Sequence, residues 1–110
     1  MFAKEREVLE EISKKLASDS HLMKIIAYGS RVRGDFRGDS DLDVLVVVDK
    51  KDREIKDKVI GEFYSYELKT DISFALSILS KEEFELNKRL GSPFIKAVAN
   101  EGMIFYDSER

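Results

Sequence analysis

Cysteine is absent from this 110-residue sequence, and histidine occurs once, at His21. Without cysteine the chain has no disulfide framework and no thiolate metal site, and a single histidine argues against a zinc centre. We interpret His21 as an exposed loop residue. Any catalysis by this chain therefore has to rest on carboxylates, hydroxyl groups and cations.

Long hydrophobic runs are absent as well, because the longest uninterrupted one extends only from Val44 to Val48. A membrane-spanning helix needs about 20 consecutive apolar residues. The first residues, Met1 to Glu7, lack the apolar core of a signal peptide. We therefore expect a cytoplasmic protein with no membrane partner.

The sequence has no excess of positive charge, since its formal net charge is −3 at pH 7. This balance argues against nucleic acid as a direct partner, although Arg31, Arg33 and Arg37 form one local basic cluster. Hydrophobic residues make up 43% and charged residues 37%, as in a soluble globular domain. A chain of this length is expected to form one domain, 1–110.

Residue spacing and capping signals predict helices alternating with strands. The predicted helices are Phe2 to Ser18, a short one after Ser30, Asp52 to Tyr66, Ser80 to Leu90 and Ser92 to Asn100. The predicted strands are Leu22 to Tyr28, Val44 to Val48, Lys69 to Leu79 and Met103 to Tyr106. The strand at Val44 is apolar on both alternating faces, which is typical of a sheet covered on both sides.

The most informative stretch lies between the first two strands. Gly29 lets the backbone turn sharply, and Ser30 can cap a short helix and donate its hydroxyl to a phosphate. Asp41 and Asp43 are two residues apart, so in an extended strand both carboxylates project from one face. Two adjacent carboxylates repel each other unless a cation lies between them. This stretch therefore predicts a Mg²⁺ site that faces a phosphate-binding turn.

Three other motifs do not fit the same stretch. Gly29 and Gly34 have the spacing of a P-loop, but Asp35 stands where that loop needs lysine. The acids from Asp39 onward resemble the start of an EF-hand, yet the later glycine and glutamate of that loop are missing. No dinucleotide-binding glycine pattern is present.

Asp71, in the third predicted strand, is a further acidic candidate. If this strand lies beside the one that follows Asp43, the Asp71 carboxylate can reach the same metal site. An exposed acid at the start of a strand explains the residue equally well, and the sequence leaves both interpretations open.

Taken together, Gly29-Ser30, ten intervening residues and Asp41-Leu42-Asp43 resemble the signature of the minimal nucleotidyltransferases, small members of the polymerase-β-like superfamily. The letters Gly-Ser-Arg-Val-Arg-Gly match this family closely, with Val32 where it often has alanine. The resemblance extends over nearly the whole chain, through Asp71-Ile72-Ser73 to the ending Glu101 to Tyr106.

This resemblance implies an α+β fold with a mixed sheet flanked by helices. It implies that Asp41 and Asp43 bind Mg²⁺, that Asp71 completes the triad and helps to activate an acceptor hydroxyl, and that two metal ions assist an in-line displacement that releases pyrophosphate. The nucleotide phosphates would be held by Gly29 and Ser30, with Arg31 and Arg33 offsetting their charge.

The resemblance also bears on the partner. Larger relatives carry extra domains for the acceptor, and the remaining length here leaves no room for one. Minimal nucleotidyltransferases are commonly paired with a HEPN ribonuclease toxin and transfer AMP from ATP to a tyrosine of it. Our leading hypothesis is such an antitoxin, working in a homo- or hetero-oligomer. The alternatives are a transferase for a small molecule or nucleic acid, and a non-catalytic antitoxin that neutralises by binding alone.

Overall fold

The computed structural model describes residues 1–34 and 40–109, in which helices alternate with strands except that the last two helices are consecutive. The helices are α1 (Ala3–Leu16), α2 (Ser30–Arg33), α3 (Arg53–Lys69), α4 (Lys81–Leu90) and α5 (Pro93–Glu101). The strands are β1 (Leu22–Tyr28), β2 (Leu42–Val48), β3 (Phe74–Ser80) and β4 (Met103–Asp107). Arg37 and Asp39 lie outside the described residues. Within the described ranges, no helix is both long and apolar enough to cross a bilayer.

The four strands form one mixed sheet in the order β3-β2-β1-β4. Strand β1 is antiparallel to both β2 and β4, while β2 and β3 run parallel. The register places Tyr28 opposite Asp43, and Leu42 opposite Phe74. The predicted fold class, a mixed sheet flanked by helices, is confirmed.

Both faces of the sheet are covered by helices. Helices α1 and α3 pack on the face that carries the side chains of Val44 and Val46, and α4 and α5 pack on the face that carries Leu45 and Val47. The apolar run from Val44 to Val48 is buried throughout, as its composition predicted. The buried residues of α1 and α3 recur at the helical spacing from which these helices were predicted, namely Val8, Leu9, Ile12, Leu16, Ile55, Val59, Phe63 and Tyr66.

The third strand begins later than the sequence predicted. Lys69 is the last residue of α3, and β3 starts only at Phe74, so Asp71 lies before the strand and not within it. The Thr70 hydroxyl donates a hydrogen bond of 2.7 Å to the carbonyl of Tyr66 and accepts one of 3.2 Å from the backbone of Ile72. These bonds end α3 in a turn, and β3 begins only after that turn. Strand β3 does lie beside β2, which is the condition under which the sequence allowed Asp71 to approach the metal site.

The helix caps match the sequence with one exception. Ser80 and Glu83 form a capping box at the start of α4, which is one of the capping signals from which the helices were predicted, and the Ser92 hydroxyl accepts a hydrogen bond from the backbone N–H of Ile95 at the start of α5. Ser30 was predicted to cap the short second helix. In the structure Gly29 is the cap and Ser30 is the first helical residue, because the chain already turns at the glycine.

Candidate functional site

The two carboxylates at the start of β2 form the centre of the candidate site. Asp41 is exposed and directly precedes the strand, and Asp43 is its second residue and is half-buried. Alternation along the strand places Asp43 on the same face as Leu45, towards α4 and α5. The backbone N–H of Leu42 donates a 2.9 Å hydrogen bond to the carbonyl of Ser73, which fixes this end of β2 against the neighbouring chain segment.

Gly29 brings the turn after β1 against Asp43. Its φ of 86° and ψ of −165° lie in a region that is essentially restricted to glycine. A Cβ atom at this position would lie 2.2 Å from Oδ2 of Asp43. The backbone carbonyl of Gly29 accepts hydrogen bonds from Val32 and Arg33, and so begins α2 directly beside the carboxylate. The missing side chain therefore creates the space that the Asp43 carboxylate occupies.

Electrostatics at Asp43 disfavour a bare negative charge. Burial raises the pKa of this carboxyl, and the nearby charges of Asp41 and Glu101 raise it further, while the Arg33 guanidinium lowers it. Like charges crowded in a partly buried place are stabilised by a cation. The site is therefore built to receive positive charge.

The arginines of α2 are held by acids on two other helices. Nε of Arg31 lies 2.9 Å from Oε2 of Glu5, whose side chain is only 3% exposed, and its guanidinium is 5.8 Å from the ring centre of Phe2. Nη1 of Arg33 is ion-paired with Oε2 of Glu101 at the end of α5. These contacts anchor α2, and with it the Gly29 turn, to both α1 and α5.

Asp71 lies in the turn that follows α3. Together with Arg31, Lys69 and Phe2 it lines an open cavity of about 400 Å³ beside α2. In residues 1–34 and 40–109, no three carboxylate, imidazole or thiol side chains are grouped to hold a metal ion. The structure thus makes Asp41 and Asp43 neighbours without adding Asp71 to a common ligand group, and the predicted role of Asp71 stays a prediction.

Tyr28 and Glu101 are residues of the site that sequence reasoning missed. The Tyr28 ring packs edge-on against Phe94 with 5.5 Å between centres. Burial raises the pKa of the Tyr28 hydroxyl, the charge of Asp43 raises it further, and a hydrogen bond with Ser77 opposes both. Tyr28 directly precedes Gly29, so its place at the strand end was a usable signal. Glu101 gave no such signal, because only the fold brings α5 to α2.

The donor groups at this site fit a magnesium ion. Mg²⁺ prefers oxygen ligands and is usually held by one or two carboxylates, with phosphates and water completing its octahedron. Asp41 and Asp43 supply such carboxylates on one face of β2, and the space left by Gly29 receives one of their oxygens. The exposure of Asp41 leaves the site open to solvent.

Comparisons with known proteins agree with this geometry. A family model described as nucleotidyltransferase domain matches residues 6–106. A protein of Methanocaldococcus jannaschii, named as a putative protein adenylyltransferase, is 32% identical over 104 residues, which cover 93% of this chain and 98% of that protein.

Two solved structures share the fold at low sequence identity. A mutant of the toxin–antitoxin pair MntA-HpeT has a TM-score of 0.58 at 16% identity, covering 92% of this chain and 74% of that chain. The complex of a tri-AMPylated HEPN toxin of Shewanella oneidensis with an MNT antitoxin has a TM-score of 0.50 at 16% identity, covering 94% and 74%. The match over residues 6–106 assigns the chain to the nucleotidyltransferase domain family, and the protein is a nucleotidyltransferase.

Proposed function

We propose that this nucleotidyltransferase uses Mg²⁺ to transfer AMP from ATP to a tyrosine hydroxyl of a partner HEPN ribonuclease toxin, and so acts as its antitoxin. The observation that carries the proposal is the close approach of the Gly29 backbone to the Asp43 carboxylate. In the proposed function this approach would bring a phosphate-binding turn next to a cation site. The named activity of the Methanocaldococcus relative and the AMPylated toxin in the Shewanella complex support the choice of acceptor.

In the proposed reaction the tyrosine oxygen attacks the α-phosphorus of ATP. The bond from that phosphorus to the bridging oxygen breaks, and pyrophosphate leaves. Asp41 and Asp43 would hold one or two Mg²⁺ ions, which when bound supply charge neutralisation for the phosphates. Gly29 and Ser30 would hold the phosphate oxygens, and Arg31 and Arg33 would offset their charge.

Asp71 would accept the proton of the acceptor hydroxyl. Its position on an open cavity beside α2 gives a large acceptor access to it. Proton transfer of this kind typically contributes about 10²- to 10⁴-fold to a rate. Asp71→Asn is therefore expected to slow AMP transfer while leaving ATP binding intact, and equal turnover by this variant and wild type would remove Asp71 from the reaction.

Intact mass spectrometry of a purified HEPN partner, incubated with this protein, ATP and Mg²⁺, tests the central proposal. We expect the partner to gain the mass of one or more AMP groups. The gain should disappear with Asp41→Asn/Asp43→Asn and persist with Asp49→Asn. Asp49 is the matched control because it directly follows the opposite end of β2 and is bound there by His21 at 2.8 Å.

The alternative functions predict different spectra. A tight complex without any mass gain would favour neutralisation by binding alone. AMP found only on a small molecule or a nucleic acid would replace the protein acceptor while keeping the transferase chemistry.

A further inference from the structure

The two outer strands of the sheet differ in how their edges are protected. Strand β4 has five residues, its register with β1 shifts between Ile25 and Ile26, and Oδ1 of its last residue, Asp107, lies 3.1 Å from Nζ of Lys24. Short length, bulges and charges are devices that prevent pairing at a sheet edge. Strand β3 has seven residues, none of them charged or proline, and a continuous register with β2. Its edge is therefore the one suited to pairing.

Backbone groups of β3 face outwards at every second residue. The N–H of Leu42 donates to the carbonyl of the residue before Phe74. By the alternation of a parallel ladder, the N–H and C=O groups of Phe74, Leu76 and Ile78 then point away from β2. The N–H of Phe74 donates there to a carboxylate oxygen of Glu67 at 2.9 Å. Within residues 1–34 and 40–109 no strand lies beyond β3, so Leu76 and Ile78 offer donors and acceptors to a further strand.

An apolar surface lies beside this edge. Ile60 and Tyr64 are one turn apart on α3 and are 46% and 57% exposed. Together with Leu76 and Ile78 of β3 they line an open cavity of about 400 Å³, and we call these four residues the edge surface. Exposed apolar residues that are grouped in this way mark contacts between proteins.

Charges of opposite sign flank the edge surface. Lys56 precedes Ile60 by one turn, Glu67 follows Tyr64 by three residues, and both line the same cavity. A two-fold axis perpendicular to the sheet would make β3 antiparallel to its copy and would set the two α3 helices side by side in opposite directions. Lys56 would then lie opposite Glu67 of the partner subunit at both ends of the contact, with Ile60 and Tyr64 between. The surface is therefore complementary to itself.

We propose that two copies of this chain form a symmetric dimer by antiparallel pairing of their β3 edges, with the edge surfaces in contact and Lys56 of each chain facing the partner's Glu67. The backbone bonds at the edge extend each four-stranded sheet into that of the partner. The apolar side chains of the edge surface are removed from water, and the paired charges fix the antiparallel orientation. The dimer needs neither nucleotide nor the proposed function, so the protein alone tests it.

Sedimentation velocity over a concentration series measures the Kd of the dimer. We expect the wild-type chain to reach twice its monomer mass, and Ile60→Glu to raise the Kd by about 30-fold or more, as changes at the centre of an interface do. Leu86→Glu is the matched control, because Leu86 is 45% exposed and lies on α4, outside the edge surface. A wild type that stays monomeric at every concentration, or equal weakening by both variants, would overturn the proposal.

Mixing two charge variants tests the two-fold arrangement. Lys56→Glu alone places two glutamates opposite each other, and Glu67→Lys alone places two lysines there, so each should raise the Kd by about tenfold. The mixture should dimerise as the wild type does, since every contact then joins a glutamate to a lysine. No recovery on mixing would overturn the arrangement. Glu67→Lys also loses the bond to Phe74, so circular dichroism first checks its fold, and Ile60→Glu against Leu86→Glu decides where it does not fold.

Hydrogen exchange reads the strand pairing itself. The amides of Leu76 and Ile78 should become protected as the protein concentration rises, and in Ile60→Glu they should exchange rapidly at the same concentrations. Dimerisation that leaves both amides unprotected would contradict edge pairing. A monomeric wild type whose binding to a HEPN partner is weakened by Ile60→Glu and not by Leu86→Glu would assign the edge surface to that partner, and would overturn the dimer while leaving the proposed function in place.

Discussion

Replacing Gly29 by alanine tests the site most directly, because two features of the structure oppose any side chain there. The backbone conformation costs a residue other than glycine about 1–3 kcal/mol. The new Cβ would also lie 2.2 Å from Oδ2 of Asp43, and overpacking of this kind costs about 1–3 kcal/mol. Part of the second cost is avoided if the Asp43 carboxylate rotates away.

We therefore expect Gly29→Ala to lower the free energy of unfolding by about 2–5 kcal/mol. For a domain of this size each kcal/mol corresponds to a drop in Tm of about 4 °C or more. Rotation of the carboxylate would also misplace the cation. Because a misplacement of about 1 Å can cost 10²-fold in rate, AMP transfer should fall by at least about that factor even where the protein remains folded.

Gly34→Ala is the matched control for backbone strain. Gly34 has a φ of 87°, almost the same as Gly29, but no atom of the described residues lies within 4 Å of an added Cβ. This variant should lose only the left-handed backbone cost of about 1–2 kcal/mol and should keep AMP transfer. The measurements are thermal unfolding, Mn²⁺ binding and transfer to the HEPN partner. Wild-type cation binding and transfer by folded Gly29→Ala would refute the claim that this glycine makes room for the carboxylate.

Two further variants probe the charge of the site and the frame around it. Burial and like charges raise the pKa of the Asp43 carboxyl above the usual Asp value of about 3.9. The folded chain therefore binds the carboxyl proton more tightly than the unfolded chain does. As a result, the free energy of unfolding falls as the pH rises from the unfolded pKa through the raised folded pKa. Asp43→Asn should therefore raise Tm at pH 7 in metal-free buffer while abolishing transfer, and an unchanged or lower Tm would contradict the assigned electrostatics. Asp49→Asn should not raise Tm, since a hydrogen bond with His21 lowers the pKa of that carboxyl. Asp52→Ala should cost about 1 kcal/mol in urea unfolding through loss of the α3 cap, whereas Asp57→Ala on the exposed face of the same helix should cost less than about 0.5 kcal/mol.

The sequence predicted most of the helices and strands, because the signals for them come from residues that are close together in the chain. Helical spacing identified the buried face of α3 from Ile55 to Tyr66, and the capping box at Ser80 placed the start of α4. These features depend on residues within one or two turns of each other. The late start of β3 was missed because it depends on how the Thr70 hydroxyl bonds to the helix end, and threonine is as compatible with a strand as with a cap.

The candidate site was predictable only in part, for a related reason. The motif predicted that Gly29 and Asp43 belong to the same site, and in the structure the two residues lie close together. The pairing of Arg33 with Glu101 joins residues 68 positions apart, and it requires α5 to fold back along β1. A single sequence carries no signal for such a contact, so Glu101 became visible only once the helices were packed.

The arrangement around Asp43 also explains why a chain would keep a feature that weakens its own fold. A partly buried carboxylate next to Asp41 and Glu101 is destabilising as long as no cation is present. A neutral side chain at position 43 would remove that repulsion and keep the strand intact, so packing alone gives no reason for an acid there. Gly29 adds a second cost, since its freedom in the unfolded chain is lost for the sake of space beside the carboxylate. Under the proposed function, binding of a cation between the oxygens would offset both costs. The stability of this protein should therefore rise with Mg²⁺ in the wild type and not in Asp41→Asn/Asp43→Asn, a comparison that needs neither nucleotide nor partner.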